Sequence, residues 1–222
     1  MNRQTLLLNY YDTMLAELGP SHWWPGESPF EIALGAILTQ NTVWTNVEKA
    51  MRNLRGQGLL DARALDLLPD AELAALIRPA GAFRVKTVRV RNFLRFLQES
   101  CALDMERLRD ADMGSLRAAL LQVSGIGPET ADSILLYALE QPSFVVDAYT
   151  RRILNRHMLV PEDIGYEELR DFFMEVLPPD VRLYNEFHAL IVRTGKGWCA
   201  KKAGKCPSCP LSHFLERRHP LT

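Results

Sequence analysis

The chain has 222 residues, which is enough for one large domain or two small ones that share a core. Hydrophobic residues make up 47% of it, charged residues make up 24%, and the formal net charge is −1, which excludes a uniformly basic nucleic-acid coat protein. No apolar run approaches the roughly 20 residues that span a bilayer, and the N-terminal segment predicts a helix rather than a cleavable signal. We therefore expect a cytoplasmic monomer without a membrane partner.

The apolar pattern is helical along nearly the whole chain. Apolar residues recur three and four positions apart in ELAALIRPAG, VRVRNFLRFLQESC, LRAALLQVSG, ADSILLYALEQ and EELRDFFMEVL. Gly and Pro separate these segments, and no run alternates with period two for long enough to make a sheet. The pattern predicts an all-α fold of about ten short helices.

The helices are expected to form two lobes with a ligand cleft between them. One lobe is residues 26–140, and the other combines residues 1–25 with residues 141–222. Asp147, which follows the apolar run FVV, would then lie at the junction.

A double-glycine turn separates two of the predicted helices. Gly125 and Gly127 flank Ile126, and the next helix starts near Thr130. Glycine lets a backbone come close to a partner, and the amides of a helix N-terminus favour an anion such as phosphate. The alternative is a helix–turn–helix connection with no ligand.

The segment LLQVSGIGPETADSILLYA, residues 120–138, resembles the helix–hairpin–helix element of the endonuclease III superfamily of DNA glycosylases. That family has an essential Asp after the hairpin, and here VVDAYTRRIL places Asp147 twenty residues past Gly127. The resemblance implies a two-lobed all-α fold, a hairpin that grips a DNA phosphate and a catalytic Asp147. It also implies DNA-backbone contacts by residues of the hairpin and of the helix after Asp147: Gly125, Ile126, Gly127, Thr130 and Arg151.

Asp147 suits this chemistry because loss of a base builds positive charge on the sugar, which a fixed carboxylate stabilises. The alternative is that Asp147 only caps the helix AYTRRILNRHM.

Family members that also cleave the strand carry a Lys two residues after the second glycine, and this chain has Glu129 there. A carboxylate cannot form a Schiff base, so a glycosylase without lyase activity is expected.

The segment HWWPGESPFEIALGAILTQNTVWTNVEKA is similar to the 3-methyladenine DNA glycosylases of the superfamily, which share WWP and LTQNT followed by an aromatic residue. The resemblance implies a flipped purine stacked on aromatic side chains, with cation–π attraction to a methylated, positively charged base. It implies Gln40 as the residue that fills the space left by the base. The implied base pocket comprises Trp23, Trp24, Pro25, Trp44 and Lys196. For the tryptophans, the alternative is packing in the core.

Three cysteines near the C-terminus are spaced by six and two intervening residues: Cys199, Cys206 and Cys209. Endonuclease III relatives hold a 4Fe–4S cluster with such spacings and a fourth cysteine at the position of Leu215. Three outcomes stay open: a cluster with a non-cysteine fourth ligand such as His213, a zinc site made by the three cysteines and His213, or no metal.

Two basic segments suit contacts with DNA phosphates. The cysteine loop carries Lys201, Lys202 and Lys205, and FRVKTVRVR carries Arg84, Lys86, Arg89 and Arg91. The expected partner is double-stranded DNA with a damaged base, and the expected reaction is base excision of an alkylated purine. Two rival interpretations remain: a mismatch thymine or uracil glycosylase, and a helix–hairpin–helix module that binds DNA without catalysis.

Overall fold

The computed structural model describes residues 2–216, and this part of the chain is helical without a β-strand. None of its helices is long and apolar enough to cross a membrane. The α-helices are α1 (Arg3–Leu18), α2 (Pro29–Thr39), α3 (Trp44–Arg55), α4 (Ala62–Leu67), α5 (Asp70–Leu76), α6 (Phe83–Cys101), α7 (Met113–Gln122), α8 (Pro128–Ser133), α9 (Ala148–Arg156), α10 (Tyr166–Met174), α11 (Val181–Gly197) and α12 (Ser212–Glu216). The expected all-α fold is confirmed, and FVV is a buried extended segment rather than part of a sheet.

Contacts divide the chain into two compact units. Unit 1 combines Met1–Trp23 with Pro142–Thr222, and unit 2 is Trp24–Gln141. The core of unit 2 is aliphatic, with buried residues from α2, α3, α6 and the hairpin. Ile126 belongs to this core because its side chain is only 5% exposed.

The core of unit 1 is aromatic. Phe144, from the extended segment before Asp147, stacks on Phe173 of α10 with ring centroids 4.1 Å apart. Tyr184 and Phe187 of α11 pack edge-on against Phe144. This buried segment therefore fixes the backbone on which Asp147 stands.

The two helices of the hairpin, α7 and α8, are joined by a buried ion pair. Arg117 donates through Nε and Nη2 to the two oxygens of Asp132, at 2.8 and 3.0 Å, and Asp132 is fully buried. Breaking a buried pair of this kind costs about 3–5 kcal/mol because one charge is left uncompensated. A π-helical turn, Ile134–Ala138, continues the chain after α8.

Candidate functional site

Asp147 is the N-cap of α9 and forms a capping box with Thr150. Its Oδ1 accepts from the Thr150 backbone amide at 2.8 Å and from the Thr150 hydroxyl at 2.9 Å, and Thr150 is fully buried. The Asp147 side chain is 13% exposed. The capping role is therefore confirmed. The hydrogen bonds of the cap engage Oδ1.

A histidine that the sequence analysis missed lies beside this carboxylate. His188 of α11 places Nε2 3.9 Å from Asp147 Oδ2, and its side chain is 10% exposed. Burial lowers the pKa of His188 below its usual value and Lys196 lowers it further, while Asp147 opposes the shift. His188 is therefore neutral near pH 7.

The close packing of α11 on α9 accounts for the position of His188. An added Cβ on Gly195 would lie 2.4 Å from Tyr149 Cδ1, so α11 packs closely on the first turn of α9 at this glycine. His188 precedes Gly195 by two helical turns and lies on the same face. Lys196, by contrast, is exposed in the last turn of α11.

The hairpin turn in unit 2 requires glycine at its first position. Gly125 has φ of +99°, and an added Cβ would lie 2.3 Å from Arg89 Cγ. Gly127 is the N-cap of α8, where no side chain caps the helix. The Ile126 side chain is buried, so any contact with a ligand at this residue falls to its backbone.

Gln40 is held by the hairpin rather than pointing away from it. Its Nε2 donates to the Gly125 carbonyl at 2.9 Å and to Thr130 Oγ1 at 2.8 Å, and its Oε1 accepts from Arg89. Entry of this side chain into a duplex would require these bonds to break. Thr130 is buried and serves as an acceptor for Gln40.

Two of the predicted pocket residues meet in unit 2 and are joined by a third aromatic residue. Trp24 and Trp44 lie with ring centroids 5.2 Å apart and planes at 87°, and Tyr137 approaches Trp24 at 5.1 Å. We call Trp24, Trp44 and Tyr137 the aromatic group. The Trp44 indole donates to Glu48 at 2.8 Å. Because the indoles meet edge to face, they do not form a parallel slot. Pro25 is exposed, and Trp23 belongs to unit 1.

The three C-terminal cysteines line one cavity in unit 1, with a volume of about 230 Å³. Arg156 Nη1 donates to Cys199 Sγ at 3.2 Å. Burial raises the pKa of the Cys209 thiol, and the neighbouring Cys199 and Cys206 raise this pKa further. In residues 2–216, no three or more His, Cys, Asp or Glu side chains are arranged to hold a single metal ion. His213, which was predicted as a ligand, does not line the cavity, and its exposed ring lies tilted against the Phe214 ring with centroids 4.0 Å apart.

His157 lines the same cavity and was missed by the sequence analysis. Its Nδ1 lies 2.6 Å from the hydroxyl of Tyr10. Burial lowers the pKa of His157 to about 4 and raises the pKa of Tyr10, with Cys209 adding to the latter shift. Both groups are therefore neutral at pH 7.

The basic residues separate into exposed and internal groups. Lys201, Lys202, Lys205 and Arg151 are exposed, as contact with DNA would require. Lys86 was expected on a basic surface, but it is 2% exposed and donates to the carbonyls of Leu38 and Ala80, each at 2.7 Å. Arg91 pairs with Asp70 at 2.6 Å and donates to nearby carbonyls. Both side chains tie helix ends together, because carbonyls at helix C-termini need donors.

Comparison with known proteins agrees with this arrangement. The family described as "HhH-GPD superfamily base excision DNA repair protein" matches residues 34–179. The protein "Putative DNA repair glycosylase MJ1434" of Methanocaldococcus jannaschii is 43% identical over 96% of this chain and 97% of its own length. Endonuclease III of Thermotoga maritima is 28% identical over 85% of this chain and 83% of its own.

Solved structures share the fold. The Helicobacter pylori 3-methyladenine DNA glycosylase bound to 1,N6-ethenoadenine has a TM-score of 0.74 and 26% identity, over 88% of this chain and 98% of that one. An endonuclease III–DNA complex has a TM-score of 0.81 at 22% identity, over 96% and 95% of the two chains. The chain belongs to the HhH-GPD superfamily of base excision DNA repair proteins.

Proposed function

We propose that this protein is a monofunctional DNA glycosylase that releases an alkylated purine, of the 3-methyladenine type, from duplex DNA. The observation that carries the proposal is the geometry of Asp147. Thr150 holds Oδ1 through two hydrogen bonds, and the neutral ring of His188 lies 3.9 Å from Oδ2. A carboxylate oriented in advance in this way stabilises the positive sugar that forms as the base departs.

The roles of the remaining atoms follow from the substrate class. An alkylated purine carries positive charge, so the glycosidic electron pair leaves with the base without a general acid. Asp147 faces the resulting cation, and a water oxygen attacks the sugar carbon while the carboxylate accepts the released proton. The product is an abasic site.

The absence of lyase activity rests on Glu129. This residue lies in the exposed first turn of α8, where strand-cleaving relatives have the lysine that attacks the sugar. A carboxylate forms no Schiff base, so borohydride should trap no covalent protein–DNA adduct. Trapping that disappears in Lys196→Ala would instead identify Lys196 as an amine nucleophile.

The aromatic group supports the choice of a methylated purine. Trp24 and Trp44 are only partly buried and offer π-faces to a flat cationic base, for which stacking and cation–π attraction act together. Tyr137 is 5% exposed and packs against Trp24. The H. pylori glycosylase described above is named for 3-methyladenine and holds 1,N6-ethenoadenine, another modified adenine. Duplex DNA is the proposed partner, with the hairpin backbone and the exposed lysines of the cysteine loop on its phosphates.

An iron–sulfur cluster is the proposed cofactor at the three cysteines. A cavity of about 230 Å³ is many times the ~10–15 Å³ that one water-sized group requires. An added Cβ on Gly204 would lie 3.1 Å from Cys206 Sγ, so glycine keeps this cradle open. The residues therefore fit a multi-iron group better than a zinc ion, which draws its ligands within about 2.3 Å of one centre. When bound, the cluster would order the cysteine loop with its three lysines.

The test is a panel of duplexes incubated with purified protein, followed by identification of the released bases. We expect 3-methyladenine from methylated DNA, and no thymine or uracil from T·G or U·G pairs. Release of thymine alone would show that the protein is a mismatch glycosylase and that alkylated purines are not its substrates. Binding without release of any base would support the non-catalytic module.

A further inference from the structure

The cysteine cavity contains a candidate for the ligand that replaces the missing fourth cysteine. Leu215 lies in the cavity wall, where the family spacing would put a thiol, and it has no donor atom. His157 lies in the same wall, whereas His213 does not. In residues 2–216, His157 is the histidine that shares this cavity with Cys199, Cys206 and Cys209.

The ring of His157 is held in the way that metal-ligating histidines usually are. Its Nδ1 is hydrogen-bonded to the Tyr10 hydroxyl at 2.6 Å, and the Tyr10 ring packs edge-on at 5.4 Å. Tyr10 is itself 3% exposed and contacts the Phe214 ring at 4.3 Å. The Tyr10 contact fixes the orientation of the ring, and in the tautomer whose Nδ1–H donates to the Tyr10 oxygen the lone pair for a metal lies on Nε2.

We propose that His157 supplies, through Nε2, the fourth ligand of an iron–sulfur cluster whose other ligands are Cys199, Cys206 and Cys209. The inference rests on the cofactor proposed above. It departs from the all-cysteine pattern of the relatives and explains how Leu215 is tolerated. The ligand comes from the end of α9 rather than from the C-terminal cysteine segment.

The proposal has an electrostatic consequence. Exchange of a thiolate for a neutral imidazole removes one negative charge from the first coordination shell, which raises the reduction potential. The Arg156 guanidinium, which donates to Cys199 Sγ at 3.2 Å, acts in the same direction. The wild-type cluster should therefore be easier to reduce than an all-cysteine version in the same chain.

The experiment uses the full chain labelled with ¹⁵N-histidine and reconstituted anaerobically with iron and sulfide. Iron and acid-labile sulfide are counted, and pulsed electron paramagnetic resonance of the reduced cluster detects nitrogen coupling. We expect a cluster with one histidine coupling in the wild type and in the matched control His213→Ala, and loss of the coupling in His157→Ala. Coupling that persists in His157→Ala, or that is lost in His213→Ala, would overturn the assignment.

Further variants keep the outcome decisive if His157→Ala folds poorly. His157→Cys keeps a ligand at the same position and should hold a cluster without nitrogen coupling and with a lower potential. The double variant His157→Ala, Leu215→Cys should do the same. A wild type that binds zinc alone, no metal, or a cluster without nitrogen coupling overturns the proposal. These readouts use no DNA, so base release measured separately distinguishes failure of the glycosylase proposal from failure of this one.

Discussion

Helices α8 and α9 both begin at residues that the family resemblance singles out, but their N-termini differ. At α8, Gly127 offers no side chain, and no cap hydrogen bond forms. At α9, the carboxylate of Asp147 accepts from Thr150 and closes a capping box. A helix start without a side-chain cap suits an external anion better than a start whose amide already has a capping partner.

The two helix starts also differ in how their polar groups are held. Oδ1 of Asp147 accepts two hydrogen bonds from Thr150 of its own helix, and these bonds hold the side chain in one orientation. In the hairpin, side chains from other helices bind the turn. Gln40 donates to the Gly125 carbonyl and Asn92 donates to the Ser124 carbonyl, at 2.9 Å each. The turn is thus anchored through its carbonyls while the start of α8 has no side-chain cap.

The largest effect is expected from a variant that keeps the helix cap at Asp147 but removes the negative charge of its side chain. Asp147→Asn keeps a good N-cap but removes the negative charge, so base release should fall about 10²–10³-fold with little change in stability. Single-turnover release from methylated DNA measures this. Asp112→Asn is the matched control, because Asp112 caps α7 by accepting from Ser115 at 2.8 Å. Equal losses in the two variants would reduce Asp147 to a structural residue.

The next effect tests the hairpin turn. Gly125→Ala must hold a positive φ and displace Arg89, so the free energy of unfolding should fall by about 1–3 kcal/mol. Gly114→Ala in α7 meets only an ordinary contact at 3.5 Å and should be neutral or slightly stabilising. Urea unfolding compares them. An unchanged Gly125→Ala variant would show that the turn has another conformation.

His188 gives a smaller, pH-dependent effect. Its folded pKa lies below the unfolded value of about 6.5, so the unfolded chain takes up the proton first as pH falls. The contribution of His188 to the free energy of unfolding is therefore full above pH 6.5. It decreases below pH 6.5 by at most about 1.4 kcal/mol per pH unit. Urea unfolding at pH 7.5 and 5.5 should show a smaller loss in His188→Gln. An equal loss in both proteins would place the titrating group elsewhere.

The smallest effect bears most directly on the uncapped helix. Gly127→Ser adds an N-cap in open space, so stability should rise by a few tenths of a kcal/mol while DNA binding weakens several-fold. Gly165→Ser is the matched control, since Gly165 starts α10 without a side-chain cap and also has open space around it. Binding titrations at fixed salt measure the difference. If both variants bind alike, α8 does not use its amides for the phosphate.

Local features were predictable and distant contacts were not. The hairpin, the helix after Asp147 and its capping carboxylate each lie within a few residues of their signals, and all of them are present. Lys86 was predicted on a basic surface, yet it is buried against two helix ends. His188 was not predicted, because a helical stripe does not reveal which residue faces a neighbouring carboxylate.

The amino-acid sequence by itself determined the helical fold, the glycine turn and the presence of a carboxylate and three thiols for the chemistry, because periodicity, φ preference and capping act over one or two turns. The tertiary structure alone decided which groups meet. It joins Gln40 to Gly125 across 85 positions and Tyr10 to His157 across 147. Such pairings depend on how helices pack, and packing is set by the whole core rather than by neighbours in the chain.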